Sequence, residues 1–76
     1  MIHFDTIDAV LCEDDQTVVL EAFAGDHTVD RWSFTLASPC KHFQRRVVAR
    51  KARELMRTAP AGWQDQMANW LNRRRS

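Results

Sequence analysis

The side chains that could do chemistry fall into three groups. The first is Cys40-Lys41-His42, a thiol and an imidazole two residues apart, with Cys12, His3 and His27 elsewhere. A structural zinc site draws its ligands from two paired clusters, and a second pair is absent from the sequence. A thiol–imidazole couple fails on geometry, because residues at i and i+2 do not face each other on a helix. If a helix starts at Cys40, its N-terminus would acidify the thiol, but a small packed side chain is the plainer use. The expectation is no catalytic residue, no metal and no cofactor.

The second group is Glu13-Asp14-Asp15. Adjacent acids between two strands ordinarily serve turn formation and solubility. The sharper reading is a loop that receives a basic partner. A hydrolytic pair would need a cleft that so short a chain has no room to build.

The third group is the most distinctive. Arg46, Arg50, Arg53 and Arg57 recur at steps of four, three and four. At about 100° per residue this stacks them in one row along a helix. Neighbouring like charges repel by about 0.2–0.5 kcal/mol per pair, so the row gains nothing from its own helix. Glu54 stands four residues after Arg50 and three before Arg57 and could relieve it. The bland account is a solvated face. The sharper one is a docking surface of Arg45, Arg46, Arg50, Arg53 and Arg57 for phosphates or carboxylates, onto which guanidinium groups fork.

Positioning these groups requires five elements. Residues 2–12 predict a first strand with a change of parity, hence a bulge or bend near Asp5–Thr6. Residues 17–24 predict a central strand with Val18, Leu20, Ala22 and Ala24 towards the core. Gly25-Asp26 predicts a hairpin turn, and residues 28–36 a third strand with Trp32, Phe34 and Leu36 on one face. Ser38-Pro39 predicts a helix start, with serine as cap and proline in the first turn, and the helix runs to about Arg57. Its core stripe is Val48, Ala52, Leu55 and Met56, flanked by Phe43 and Val47. Residues 59–62 break it. A second helix over residues 61–72 puts Trp63, Met67, Trp70 and Leu71 on one face. The fold class is therefore α+β: a three-stranded antiparallel meander covered on one face by two C-terminal helices, βββαα, in one domain.

Charge divides the chain. Residues 1–37 hold Asp5, Asp8, Glu13, Asp14, Asp15, Glu21, Asp26 and Asp30 against only Arg31; residues 38–76 hold the other bases against Glu54 and Asp65. The net charge of +1 conceals this split, which predicts two opposed surfaces or pairing between the halves. A helix-turn-helix reading would offer Gln64, Gln66, Asn69 and Asn72 to base edges, but that motif belongs to helical bundles and the acidic half would repel a phosphate backbone. No apolar leader follows Met1 and no apolar run is long enough to span a bilayer, so no membrane partner and a cytoplasmic location are expected. Cys12 and Cys40 are expected as reduced thiols, with a disulfide between them left open.

These features predict a small non-enzymatic protein-binding module or inhibitor that occupies a charged site on a larger protein or nucleoprotein. Compact chains with charged faces and no catalytic groups are typical of phage and mobile-element inhibitors, anti-CRISPR proteins among them. That is an analogy of size and character. The alternative is a nucleic-acid-binding protein or small transcriptional regulator using the same arginines. Trp63 and Trp70 belong first to the core; exposed, they would mark a partner or homodimer interface.

Overall fold

The computed structural model describes residues 3–74; Ile2, at the start of the expected first strand, and Arg75 lie outside them. The order is β1 (Thr6–Leu11), β2 (Thr17–Ala24), β3 (His27–Thr35), α1 (Arg45–Thr58) and α2 (Trp63–Arg74). The strands form one antiparallel sheet in the order β1-β2-β3. This is the expected α+β meander with two helices on one face.

β2 is central because its inward residues are uniformly apolar. Val18, Leu20 and Ala22 are fully buried, flanked by Ile7 and Ala9 from β1 and Phe34 from β3. Ala24, at the strand's end, is half-buried. The parity change in β1 resolves as a bend at Asp5, whose N–H donates to Phe23 O at 2.7 Å. The β2–β3 turn has φ +61° at Gly25 and no positive φ at Asp26, the signature of a type II′ hairpin, which needs glycine first. Asp5 Oδ2 accepts the Gly25 N–H at 2.9 Å and holds that turn against β1. One irregularity had no sequence signal: Ala22 pairs with Asp30 but Phe23 with Thr28, leaving Val29 as an extra, exposed residue in β3.

The helix start differs from expectation. α1 begins at Arg45, with Gln44 as an N-cap that makes no side-chain capping bond, and not at Ser38. The topology explains this. β3 is one edge of the sheet, and α1 lies over β1, the other edge. The chain must first cross about two strand spacings, roughly 10 Å. Residues 36–44 make that crossing along the β1–β2 turn: Leu36 N–H donates to Gln16 O at 2.8 Å, and Cys40 N–H to Asp15 O at 2.7 Å. The strong local signal of Ser38-Pro39 is overridden by these tertiary bonds, one of which takes the Cys40 N–H that a Ser38 cap would have served.

α1 buries Val48, Ala52 and Leu55, with Met56, Phe43 and Val47 half-buried beside them. The break expected at residues 59–62 is present, with Gly62 N–H donating to Ala59 O at 3.1 Å. α2 buries Trp63, Met67 and Leu71 at i, i+4 and i+8.

Candidate functional site: the arginine face of α1

The core stripe fixes which way α1 turns, and the arginine row falls opposite it. Arg46, Arg50, Arg53 and Arg57 are all exposed. From Arg46 to Arg57, eleven residues on, the row extends about 16 Å along the axis. None of the four makes an ion pair or side-chain hydrogen bond with another described residue. Glu54, expected to relieve Arg50 and Arg57, instead pairs with Lys51 at 3.6 Å. The first turn of α1 contains no acid, so Arg46 stands near the positive end of the helix dipole without relief, whereas Arg57 in the last turn is favoured by it.

Arg45 leaves this surface. It lies three residues before Val48, hence on the core side, and reaches over the edge of β1. Its guanidinium pairs with the Asp8 carboxylate and its Nε donates to Ala9 O at 3.1 Å. It is a clamp between α1 and β1, set apart from the row by this pairing. The sequence held a signal for this, since i, i+3 spacing joins Arg45 to the apolar stripe.

The acidic residues are mostly taken up by the fold. Asp5 holds the β2–β3 turn, Asp8 pairs with Arg45, Glu21 pairs with Arg31 at 2.8 Å, and Asp30 Oδ1 accepts the Arg31 N–H at 2.8 Å. Asp14 is engaged within its own turn as well. Its Oδ1 accepts the N–H groups of Gln16 and Thr17 at 2.9 and 2.8 Å, and its Oδ2 accepts the Thr17 hydroxyl at 2.7 Å. This carboxylate organises its own turn, an Asx-type arrangement, and Asp15 beside it takes the left-handed φ of +58°. Of the three acids, Glu13 remains outward and exposed and Asp15 is half-buried.

The Thr17 hydroxyl, then the backbone N–H groups of Gln16 and Thr17, hold the Asp14 pKa below its ordinary 3.8. A depressed folded-state pKa means stabilisation that is complete above the ordinary value and lost as pH falls through the folded one. Asp14→Ala is therefore expected to lower the thermal midpoint at neutral pH. Its deficit against the wild type should shrink when melts are repeated at increasingly acidic pH below 3.8. A deficit unchanged across that range would show that the carboxylate is not what holds the turn.

Cys40 lies in the crossing segment, outside α1. Its Sγ is 3.7 Å from the His42 carbonyl oxygen, and the His42 side chain is exposed. Cys12 and Cys40 are both free and half-buried. Among the described residues no three of His, Cys, Asp and Glu converge on a common point, and no helix is long and apolar enough to cross a membrane.

Protein-family models, curated proteins and solved structures give no match to this chain. Its site is therefore read from its own geometry.

That geometry also bears on the tryptophans and on α2. Trp63 is buried, with its ring edge-on to Trp32 at 5.0 Å and to Phe34 at 6.0 Å. It belongs to the core. Trp70 is half-buried at the core's margin. Asn72 is not free for base edges: its Oδ1 accepts the Ala37 N–H at 2.6 Å and its Nδ2 donates to Ala68 O at 3.0 Å, tying α2 to the end of β3.

Proposed function

We propose that this protein is a non-enzymatic binding module, of the inhibitor type, that docks the arginine face of α1 onto an acidic site of a larger protein. One observation carries the reading: four arginines stand exposed in a row with no partner among the described residues, while most of the acids are drawn into turns and ion pairs. Leaving such a row unrelieved costs the helix stability, and a carboxylate-rich surface would return it through forked, charge-assisted hydrogen bonds. A protein target is favoured over nucleic acid because the basic surface is a single narrow row and because α2 commits Asn72 to the fold.

Arg50→Glu/Arg53→Glu tests the reading. Both sites are solvent-facing, so folding stability should stay within about 0.5 kcal/mol of the wild type. Capture of the partner from the host lysate should fall by about tenfold or more per arginine, the expected loss of a charge-assisted hydrogen bond. A variant that retains the same partner with the same affinity rejects the arginine face. Duplex DNA of random sequence is the second probe. Tight binding with a steep salt slope, lowered by about one unit for each arginine removed, would replace the protein target with nucleic acid.

A further inference from the structure

The sheet has two edges, and the fold treats them differently. At the β1 edge, Cys12 N–H donates to Thr17 O at 2.8 Å, which makes these a hydrogen-bonded pair. Pairs alternate along an antiparallel ladder, so Ile7, Ala9 and Leu11 turn their N–H and C=O groups outward, and at Ala9, the middle of the three, both are covered. Asp8 Oδ1 accepts the Ala9 N–H at 2.9 Å, Arg45 Nε donates to Ala9 O at 3.1 Å, and the Asp8–Arg45 pair closes the plug.

At the β3 edge, Leu36 N–H donates to Gln16 O at 2.8 Å, so by the same alternation Arg31, Ser33 and Thr35 point outward. Asp30 Oδ1 accepts the Arg31 N–H at 2.8 Å. The outward N–H and C=O of Ser33 and Thr35, and the C=O of Arg31, meet no other described residue. The strand carries neither proline nor lysine, the usual guards of an edge. Its bulge at Val29 lies outside this segment. A groove of about 530 Å³ runs alongside, between β3 and α2, with Trp32, Phe34, Gln64, Asp65 and Ala68 in its lining.

We propose that this edge is a homodimer interface, with β3 of two copies paired antiparallel and Ser33 on the two-fold axis. The pattern is self-complementary. The outward positions 31, 33 and 35 are symmetric about 33, so Ser33 meets Ser33 of the second copy and Arg31 meets Thr35. Apart from the Arg31 N–H, which Asp30 Oδ1 already holds, the outward groups of each then fall against acceptors and donors of the other. Both sheets keep the same face inward, which sets Trp32 opposite Phe34 of the second copy on the helix side. No like charges are opposed, and the bulge ends the pairing where the register is lost. An aromatic cross-strand pair is among the more favourable kinds, and it would cover Trp32, which is half-buried in one copy. The proposal does not depend on what the arginine face binds.

Charge swapping at the axis tests it. Ser33 is exposed on the outer face of the sheet, so Ser33→Lys and Ser33→Glu should both fold. Each places like charges directly opposite and should weaken self-association, measured by sedimentation over a concentration series, by up to about fivefold. An equal mixture of the two should associate at least as well as the wild type. Ser33→Pro, which removes only an outward N–H, should weaken it by about tenfold or more. In the wild type, the Ser33 and Thr35 amides should become protected from hydrogen exchange as concentration rises. The proposal is overturned if the wild type is monomeric at every accessible concentration, or if the mixture associates no better than either variant alone. A dimer whose Ser33 and Thr35 amides exchange as fast as the monomer's also overturns it.

Discussion

Leu20→Ala is expected to remove much of the stability of this protein. Leu20 is fully buried in the central strand, opposite Ala9 on one side and Trp32 on the other. Two residues buried with it in the core, Ala9 and Ala52, are already alanines, with no longer side chain to swing into the space. The cost combines lost transfer free energy with an unfilled cavity, and for buried leucines it runs about 3–5 kcal/mol. A chain of this length has only about 4–11 kcal/mol in total. The thermal midpoint followed by far-UV circular dichroism should therefore fall by well over about 10 °C, since 1 kcal/mol moves a domain of this size by about 4–8 °C. Leu20→Met, which nearly conserves volume, should lose less than about 1.5 kcal/mol. If Leu20→Ala cost under about 1 kcal/mol, the helices could not be lying on this face of the sheet, and the two-layer arrangement would be wrong.

Leu20 also illustrates what could be read without coordinates. Val18, Leu20 and Ala22 share one parity, and all three are buried, so the sequence alone placed β2 within its observed bounds. The stripes of α1 and α2 were legible for the same reason: Val48, Ala52 and Leu55, and Trp63, Met67 and Leu71, repeat at helical spacing. The start of α1 was not legible. Ser38 and Pro39 form a good local helix signal, but the competing hydrogen bonds come from Gln16 and Asp15, more than twenty residues away, and no local pattern encodes them. The Val29 bulge was hidden likewise, because it is a property of the pairing between two strands.

The candidate site divided along the same line. The row of Arg46, Arg50, Arg53 and Arg57 follows from periodicity and stands exposed on α1. Arg45 and Asp14 left the set of free charged groups because of contacts that only the folded chain creates, Arg45 across the edge of β1 and Asp14 within its own turn. The Asp8–Arg45 clamp ties the two themes together. It is a bond between the acidic and basic halves of the sequence, and it anchors the N-terminus of the helix that carries the row. The face offered to a partner is thus held at one end by the sheet and along its back by the core, so docking would require little ordering of α1 itself, an advantage in affinity.

The second large effect is expected at Trp63. This residue opens α2 and fills the space between that helix and β3, with its ring edge-on to both Trp32 and Phe34. Met67 and Leu71 hold the rest of the buried face, so Trp63 is the anchor for the beginning of the helix. Trp63→Ala should cost about 3–5 kcal/mol, the range for deleting a large buried aromatic side chain. The loss should also be local in character. Native-state hydrogen exchange is expected to quicken first at the N-terminal amides of α2, while the β1–β2 ladder keeps most of its protection. Trp63→Phe retains part of the volume and should be milder. Combined with Trp32→Phe in a double-mutant cycle, it should report a coupling of about 0.5–1.5 kcal/mol for the edge-to-face pair. A coupling near zero would mean that the two rings fill space side by side without favouring their observed geometry. A Trp63→Ala variant as stable as the wild type would return Trp63 to the surface, as an aromatic anchor for a partner, and the core would then have to be rebuilt without it.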